Sequence, residues 1–521
     1  MSETTSGHGG TAGTLRNLVA KPGVSLGLIV AIGSIGQFMA VLDTSIVNIA
    51  LPSMRHDLGL SADTQQWVVD GYLVAFGGFL LLAARASDLF GRRLVFQAGL
   101  VLFSLASLIG GLATDASMLL VARAVQGIGA AALAPVSLSL ITASHVNAHH
   151  HQRTRALSIW AAAGSSAGAA GMILGGVLTA ELSWRWVFFV NVPIGVALLA
   201  ASAAWLLPSR SGGGPRTRLD LPGVLTITLG TGLLVYGVSA ASEYSWGSAV
   251  VIGALAGAAA LLAVFILIER RASQPLIRLG IFRSRGVSVA NLVMLCLGVL
   301  MTATIFFLSL YLQQVLGYSA LRAGAALLPM TVIMVVGAFA CRALVPVLGT
   351  RTVTLAGALI TVAGLAWLAF IPADPAYLVH VLGPTVIFGA GLSLMILPAT
   401  MSATAGLPHH EAGLASGLVS VARQIGGAIG VAALVAVASA ATGSGSGAVA
   451  VVHGYRVALV IDAAVAVLAV VAALFLPAVG RSSSRGGGAS SSRGGGAGSA
   501  AAPAGRQAPT ATSHPSADVA Q

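Results

Sequence analysis

Residues 25–52 read SLGLIVAIGSIGQFMAVLDTSIVNIALP, with one charged side chain, Asp43, and no lysine or arginine. About 20 apolar residues suffice to cross the hydrocarbon of a bilayer as a helix. A helix is also one of the few structures whose backbone satisfies its own hydrogen bonds in lipid. The stretch therefore reads as a membrane span that carries an acid in its interior.

Outward from this run the same pattern repeats. Apolar runs of spanning length occur at 25–50, 66–86, 94–113, 118–143, 157–179 and 186–207 (spans one to six). Two more lie at 221–241 and 249–268 (seven and eight), after a Pro/Gly/Arg-rich gap. Six follow at 287–312, 323–346, 352–371, 377–401, 412–440 and 455–477 (nine to fourteen). The whole chain is 56% hydrophobic and only 8% charged, against roughly 25% charged for a soluble domain. The expected organisation is a cytoplasmic N-terminal segment 1–24, an N-terminal six-helix half 25–207, a linker and two extra helices 208–268, a C-terminal six-helix half 269–477, and a disordered Ser/Gly/Ala-rich cytoplasmic tail 478–521.

The net charge of +12 does not gather on one element, so nucleic acid is not an expected partner. Arginines instead crowd alternate gaps: Arg85, Arg92 and Arg93; Arg153 and Arg155; Arg210, Arg216 and Arg218; Arg270, Arg271, Arg278, Arg283 and Arg285; Arg342 and Arg351. The other gaps hold Arg55, Arg185, Arg322 and Arg456. The positive-inside rule then puts both termini in the cytoplasm, which requires an even number of spans. Lys21 is the only lysine, so the phosphate-binding lysine of an ATP-driven pump is missing. Cys296 and Cys341 are too few and too far apart for a disulfide framework. The His149, His150, His151 run and the His409, His410, Glu411 cluster lack the spacing of a metal or catalytic site, so neither an enzyme nor a bound metal is expected.

Asp43, Asp70 and Asp462 are the acids inside spans, and an intramembrane charge is a functional candidate by default. At 1.5 Å per residue Asp43 lies roughly 13 Å, Asp70 roughly 8 Å and Arg123 roughly 12 Å from the outer ends of their helices. The expectation is that Arg123 sits between the two carboxylates. Burial favours a neutral acid and a guanidinium favours a carboxylate, so moving Arg123 would bind or release a proton. Gln37, Thr44 and Asn48 share helical spacing with Asp43, and Gln126 follows Arg123 by one turn. Trp67 and Tyr72 flank Asp70, where an aromatic could stack on a cation. Arg423 and Asp462 are a further possible pair; together with Gln37, Asn48, Trp67, Tyr72 and Gln126 they are candidates for a substrate cavity.

Residues 84–93, ARASDLFGRR, place Arg85, Asp88, Gly91, Arg92 and Arg93 between spans two and three. Gly91 supplies a tight turn and the arginines can clamp a helix end through its carbonyls, which together make a cytoplasmic gate. Span five carries Gly164, Gly168, Gly171, Gly175 and Gly176, small residues that let a neighbouring helix approach. A similar glycine run, Gly413 to Gly430, sits at the matching place in the second half.

At these residues the chain resembles the major facilitator superfamily, and within it the drug:proton antiporters of fourteen spans. Leu42 to Pro52 is similar to that family's first-span motif, 84–93 to its loop motif, Arg123 to Gly129 to its fourth-span motif, and Trp184 to Pro193 to the stretch after its fifth-span antiporter motif. Ala84 and Met172 depart from the usual glycine and proline. The resemblance implies an all-α membrane protein, two six-helix halves plus two additional central helices. It implies a multi-pass protein of a bacterial cytoplasmic membrane that exports hydrophobic, often cationic drugs or antibiotics. Proton-motive force would drive export without a cofactor, in a monomer. An uptake symporter or a dedicated metabolite or lipid exporter is the alternative within the superfamily.

Overall fold

Apolar side chains surround these helices instead of forming one stripe: on span ten Leu327 and Met330 are buried while Val332, Val336, Phe339 and Val347 are exposed. A helix apolar on every side belongs in a core or in lipid. The computed structural model describes residues 25–144, 150–207, 220–241, 246–272, 275–373, 376–405, 409–443 and 447–477, with Tyr244 and Leu407. The expected terminal segments 1–24 and 478–521 and most of the linker, 208–219, lie outside the described residues, as does His149. So do the side chains of Asp88, His150, His151, Arg153, His409, His410 and Gly413.

Fourteen described helices are long and apolar enough to cross a membrane. Spans one to six are Leu26–Leu58, Thr64–Ser87, Arg92–Gly111, Ala116–Thr142, Arg155–Glu181 and Trp186–Trp205. Spans seven and eight are Leu221–Ala240 and Ala249–Arg271. Spans nine to fourteen are Arg285–Val315, Ala320–Leu348, Thr350–Leu368, Leu378–Thr404, Leu414–Thr442 and Ala448–Leu474. Serines cap several starts: Ser25, Ser61, Ser248 and Ser319 each accept from a backbone N–H three residues on. Gly59 ends span one in the left-handed region at φ 63°, a conformation glycine adopts without a Cβ penalty.

Because the spans alternate in direction and their number is even, span one begins and span fourteen ends on one face, the near face; the opposite is the far face. The packing pairs repeat when eight is added to each span. One packs on five as nine does on thirteen; two on four as ten on twelve; three on four as eleven on twelve; three on six as eleven on fourteen. That correspondence defines two six-helix halves. They meet along two seams, five against ten and two against thirteen, which exchange under the same operation. Spans seven and eight pack on each other, and seven also lies against two and thirteen, so the extra pair flanks one seam.

Span one runs past Pro52 to Leu58, eight residues beyond the expected end at 50. Proline has no N–H to give the carbonyl four residues earlier, here that of Asn48. The freed oxygen is not orphaned: Ser309 Oγ of span nine donates to it at 2.9 Å, and Gln313 Nε2 donates to Ile49 O at 3.1 Å. These bonds tie the two halves together at the far face.

Candidate functional site

In the N-terminal half, four spans converge on one carboxylate. Asp43 is fully buried and Arg123 is 1% exposed. Arg123 Nη1 donates to Asp43 Oδ2 at 2.6 Å and to Gln126 Oε1 at 2.7 Å, and its Nε donates to Val68 O at 2.8 Å. Gln126 Nε2 donates to Asp43 Oδ1 at 2.6 Å and to Ser107 Oγ at 2.8 Å. Asn191 Nδ2, from span six, donates to the same Oδ1 at 3.1 Å. The guanidinium also lies over the Tyr72 ring, 4.4 Å from its centroid, and the Tyr72 hydroxyl donates to Ala40 O at 3.1 Å.

Local sequence explains the convergence. Gln126 is three residues after Arg123 and so shares its helical face. Gly127 removes the Cβ that would strike the Tyr72 carbonyl, letting spans two and four close on the guanidinium. Desolvating each ion costs several kcal/mol, and only good geometry with additional hydrogen bonds offsets it. Asp43 and Arg123 have both, and removing either partner would leave the other buried without its partner.

Asp70 is not part of this group, contrary to the expectation of one cation between two carboxylates. It is fully buried, accepts from Gln66 Nε2 at 2.6 Å, and its Oδ1 has no partner among the described residues. Gln66 Oε1 in turn accepts from Ser239 of span seven at 3.4 Å. The reason is helical phase. Arg123 reaches the carbonyl of Val68, and two residues on a helix turn the chain by about 200°. Trp67 follows the same side, its ring centroid 6.5 Å from that of Tyr236 on span seven.

The other candidates are dispersed. Gln37 faces Gly164 of span five. Asn48 Nδ2 donates to Thr44 O at 2.8 Å within its own helix, and its carbonyl serves the far-face contact described above. Arg423 forms no ion pair with Asp462 among the described residues: Asp462 accepts from Thr304 at 2.7 Å, and Arg423 lies within electrostatic reach of Tyr72 in the other half.

The glycines of span five divide between two neighbours. A Cβ on Gly171 would lie 2.7 Å from Ser45 Cβ and 3.0 Å from Leu42 O, and one on Gly175 would lie 2.8 Å from Ile46 O, so both press against span one. Gly168 faces Ser45 more loosely. Gly176 turns to span ten, where its Cβ would come within 2.7 Å of Leu321 Cα. Met172, where the family motif usually has proline, presents its carbonyl to Gly324 of span ten. Gly176 and Gly324 thus let spans five and ten close on each other on the far side, while Gly171 and Gly175 seat span five on span one.

At the near face Gly91 joins spans two and three at φ 95°. Arg92 Nε donates to Ser139 Oγ at 2.6 Å. Arg93 donates to Leu206 O at 2.8 Å and Ala203 O at 3.2 Å, satisfying terminal carbonyls of span six. Arg85 belongs to the near end of span two; the Asp88 side chain lies outside the described residues.

Sequence reading missed Ser107, Asn191 and a clamp at the far face. In that clamp Asp57 accepts from Trp184 Nε1 at 2.8 Å and from Arg185 Nη1 at 2.5 Å, while Arg185 Nη2 donates to Ala113 O at 3.2 Å. Asn191 could have been found: an amide in the apolar run after Trp184 needs a partner in lipid. A separate apolar pocket of about 290 Å³ between spans two, three and four, lined by Phe79, Phe90, Leu94 and Leu102 among others, contains no charged side chain and none of the Asp43 cluster.

Comparison with known proteins adds a lineage to this geometry. The chain is 44% identical over 403 residues to the cephamycin export protein CmcT of Amycolatopsis lactamdurans, covering 77% of this chain and 82% of that protein. It is 39% identical over 462 residues to the puromycin resistance protein pur8 of Streptomyces alboniger, covering 86% and 90%. Among solved structures, a D-xylose-proton symporter superposes with a TM-score of 0.62 at 15% identity, covering 87% of this chain and 99% of that one, a likeness of fold. Since the family model of the Major Facilitator Superfamily matches residues 33–431, the chain belongs to that superfamily.

Proposed function

We propose that this chain is a drug:proton antiporter of a bacterial cytoplasmic membrane, exporting hydrophobic small molecules of the antibiotic class. The reading rests on the Asp43 carboxylate, fully buried and held by Arg123, Gln126 and Asn191. Kinship with a cephamycin exporter and a puromycin resistance protein supports the cargo class. The near face, rich in arginine, is the cytoplasmic one, and both termini lie there.

Coupling then follows from charge bookkeeping inside a poor dielectric. When the far face opens, a proton from outside neutralises Asp43, and Arg123 loses its counter-charge while keeping Gln126 Oε1 and the Val68 carbonyl. The freed guanidinium and the Tyr72 ring rearrange, and the halves rock about their two seams. Opened to the cytoplasm, Asp43 gives up its proton as cargo enters, and the ion pair reforms as the far face reseals behind it. Proton and cargo occupy the N-terminal half alternately, so no cofactor is required. Arg85, Asp88, Gly91, Arg92 and Arg93 form the cytoplasmic gate that breaks and remakes during this cycle.

Everted and right-side-out vesicles with an imposed pH gradient test both the sign and the coupling. Antiport predicts accumulation in everted vesicles that are acid inside; uptake by symport, the second reading within the superfamily, predicts accumulation in right-side-out vesicles that are acid outside. Asp43→Asn should insert normally and lose gradient-driven transport. A variant that still follows the pH gradient refutes the role of Asp43.

A further inference from the structure

A second buried carboxyl lies in the other half. Asp462 is 1% exposed and sits near the middle of span fourteen, about 18 Å from its near end at 1.5 Å per residue. Its Oδ2 meets Thr304 Oγ1 of span nine at 2.7 Å, and its Oδ1 has no partner among the described residues. Thr304 is itself fully buried.

Among the described residues the surroundings offer Asp462 no ion pair. Spans nine, eleven and thirteen pack against span fourteen. Span nine contributes Cys296 and the Tyr311 turn; Tyr311 donates to Pro372 O at 2.5 Å. Arg285 lies at the near end of span nine, Arg351 at the near end of span eleven and Glu411 at the start of the helix that carries span thirteen. Arg423 of span thirteen forms no ion pair with Asp462 among the described residues. On span fourteen itself His453, Tyr455 and Arg456 lie nine, seven and six residues toward the far end, where Arg456 donates to Ile371 O at 2.7 Å and Tyr455 donates to Gln314 Oε1 at 3.4 Å. The influences on the Asp462 carboxyl are its burial and the Thr304 hydroxyl.

An isolated carboxylate in such a place pays a desolvation cost that one hydroxyl cannot repay. The neutral acid fits the same atoms better. Once protonated, its Oδ2–H can donate to Thr304 Oγ1 over the same 2.7 Å, reversing the bond a carboxylate accepts, and its carbonyl Oδ1, the oxygen left alone, is the less costly group to leave unsatisfied. The contrast with Asp43 is chemical: one half holds a carboxylate in an ion pair, the other a carboxylic acid on a hydroxyl.

We infer that Asp462 and Thr304 form a second proton-binding site, in the C-terminal half, which holds its proton until the site opens to the near face. The proposal rests on the antiport reading above and deepens it, since a transported proton at each half raises the number exchanged per cargo molecule. The step is a simple one: the carboxylate gains a proton from far-side water when the C-terminal half is exposed there, and returns it to near-side water in the opposite arrangement.

Two measurements on the full chain test it. The first is an infrared difference spectrum at neutral pH between wild type and Asp462→Asn in lipid nanodiscs. The expected signal is the carbonyl band of one protonated carboxyl, absent from the variant and shifted in frequency by Thr304→Val, which removes the hydroxyl. If the difference spectrum shows only carboxylate bands, Asp462 is ionised and the site is overturned. This readout needs no transport, so it fails or succeeds independently of the antiport reading, which Asp43→Asn tests.

The second uses ethidium as a cationic probe in vesicles with the membrane potential clamped at zero. Losing one proton from the exchange should lower limiting accumulation by about tenfold at a pH gradient of one unit. Asp462→Asn with the wild-type dependence on the gradient would overturn the transport role even if the infrared band is present. Thr304→Val, which keeps the acid, should retain the wild-type dependence; a full loss there would also count against the proposal.

Discussion

Asn191 gives the sharpest test of how Asp43 is held. Its amide donates to Asp43 Oδ1 at 3.1 Å, while its own Oδ1 is buried without a partner among the described residues. Asn191→Leu keeps similar volume, deletes the donor and also removes the stranded oxygen, so the fold loses little. A hydrogen bond to a charged acceptor contributes about 1.5–3 kcal/mol and one to a neutral acceptor about 0.5–1.5 kcal/mol. The difference, roughly 1 to 1.5 kcal/mol, falls on the ionised form of Asp43 alone. At 1.36 kcal/mol per pH unit the variant should bind its coupling proton about one pH unit higher. The sign follows because the lost bond favoured the carboxylate. Initial efflux rates from proteoliposomes across a pH series would show it as an alkaline displacement of the whole profile, with maximal rate largely kept. A profile that stays in place, or moves to acid pH, would refute the idea that Asn191 acts on the charge of Asp43.

Gly171→Val would place side-chain carbon against Ser45 Cβ and Leu42 O, an overpacking cost of about 1–3 kcal/mol, and efflux should fall sharply with the protein still present in the membrane fraction. Ser309→Ala with Gln313→Ala removes both side-chain donors across the far face; spin labels on spans one and nine should report a larger far-side separation than in wild type. Arg93→Ala strands the Leu206 and Ala203 carbonyls, so thermal stability in detergent should drop measurably, whereas Arg185→Ala breaks a pair that is 33% and 46% exposed and should cost no more than about 1 kcal/mol, read by the same melting assay.

The spans were legible because hydrophobic length and the alternation of arginine are one-dimensional signals, and a chain written for lipid displays both. Asp43 and Arg123 were legible for a related reason: each is a charge where charge is expensive, at matching height. Asp70 shows where that reasoning stops. Height along a helix follows from counting residues, but the direction a side chain faces depends on which neighbour lies there, and Asp70 is held by Gln66, itself bonded from span seven, and not by Arg123 of span four. Arg423 and Asp462 do not pair among the described residues either; Asp462 meets Thr304 instead. Asn191 was visible as an amide in an apolar run, yet nothing local tied it to a residue 148 positions earlier. The far-face clamp of Asp57, Trp184 and Arg185 joins the last turn of span one to the turn between spans five and six, distant in sequence, and only the packing of the first half reveals it.

Pro52 has a lasting effect on how the far seal can evolve. By withholding one amide hydrogen it turns a main-chain oxygen of span one into the acceptor for a serine on the opposite half. Every amino acid supplies that oxygen, so the side chains at positions 48 and 49 are free of responsibility for the closure. A lineage can therefore reshape that stretch of the first helix for a new cargo while the latch stays intact.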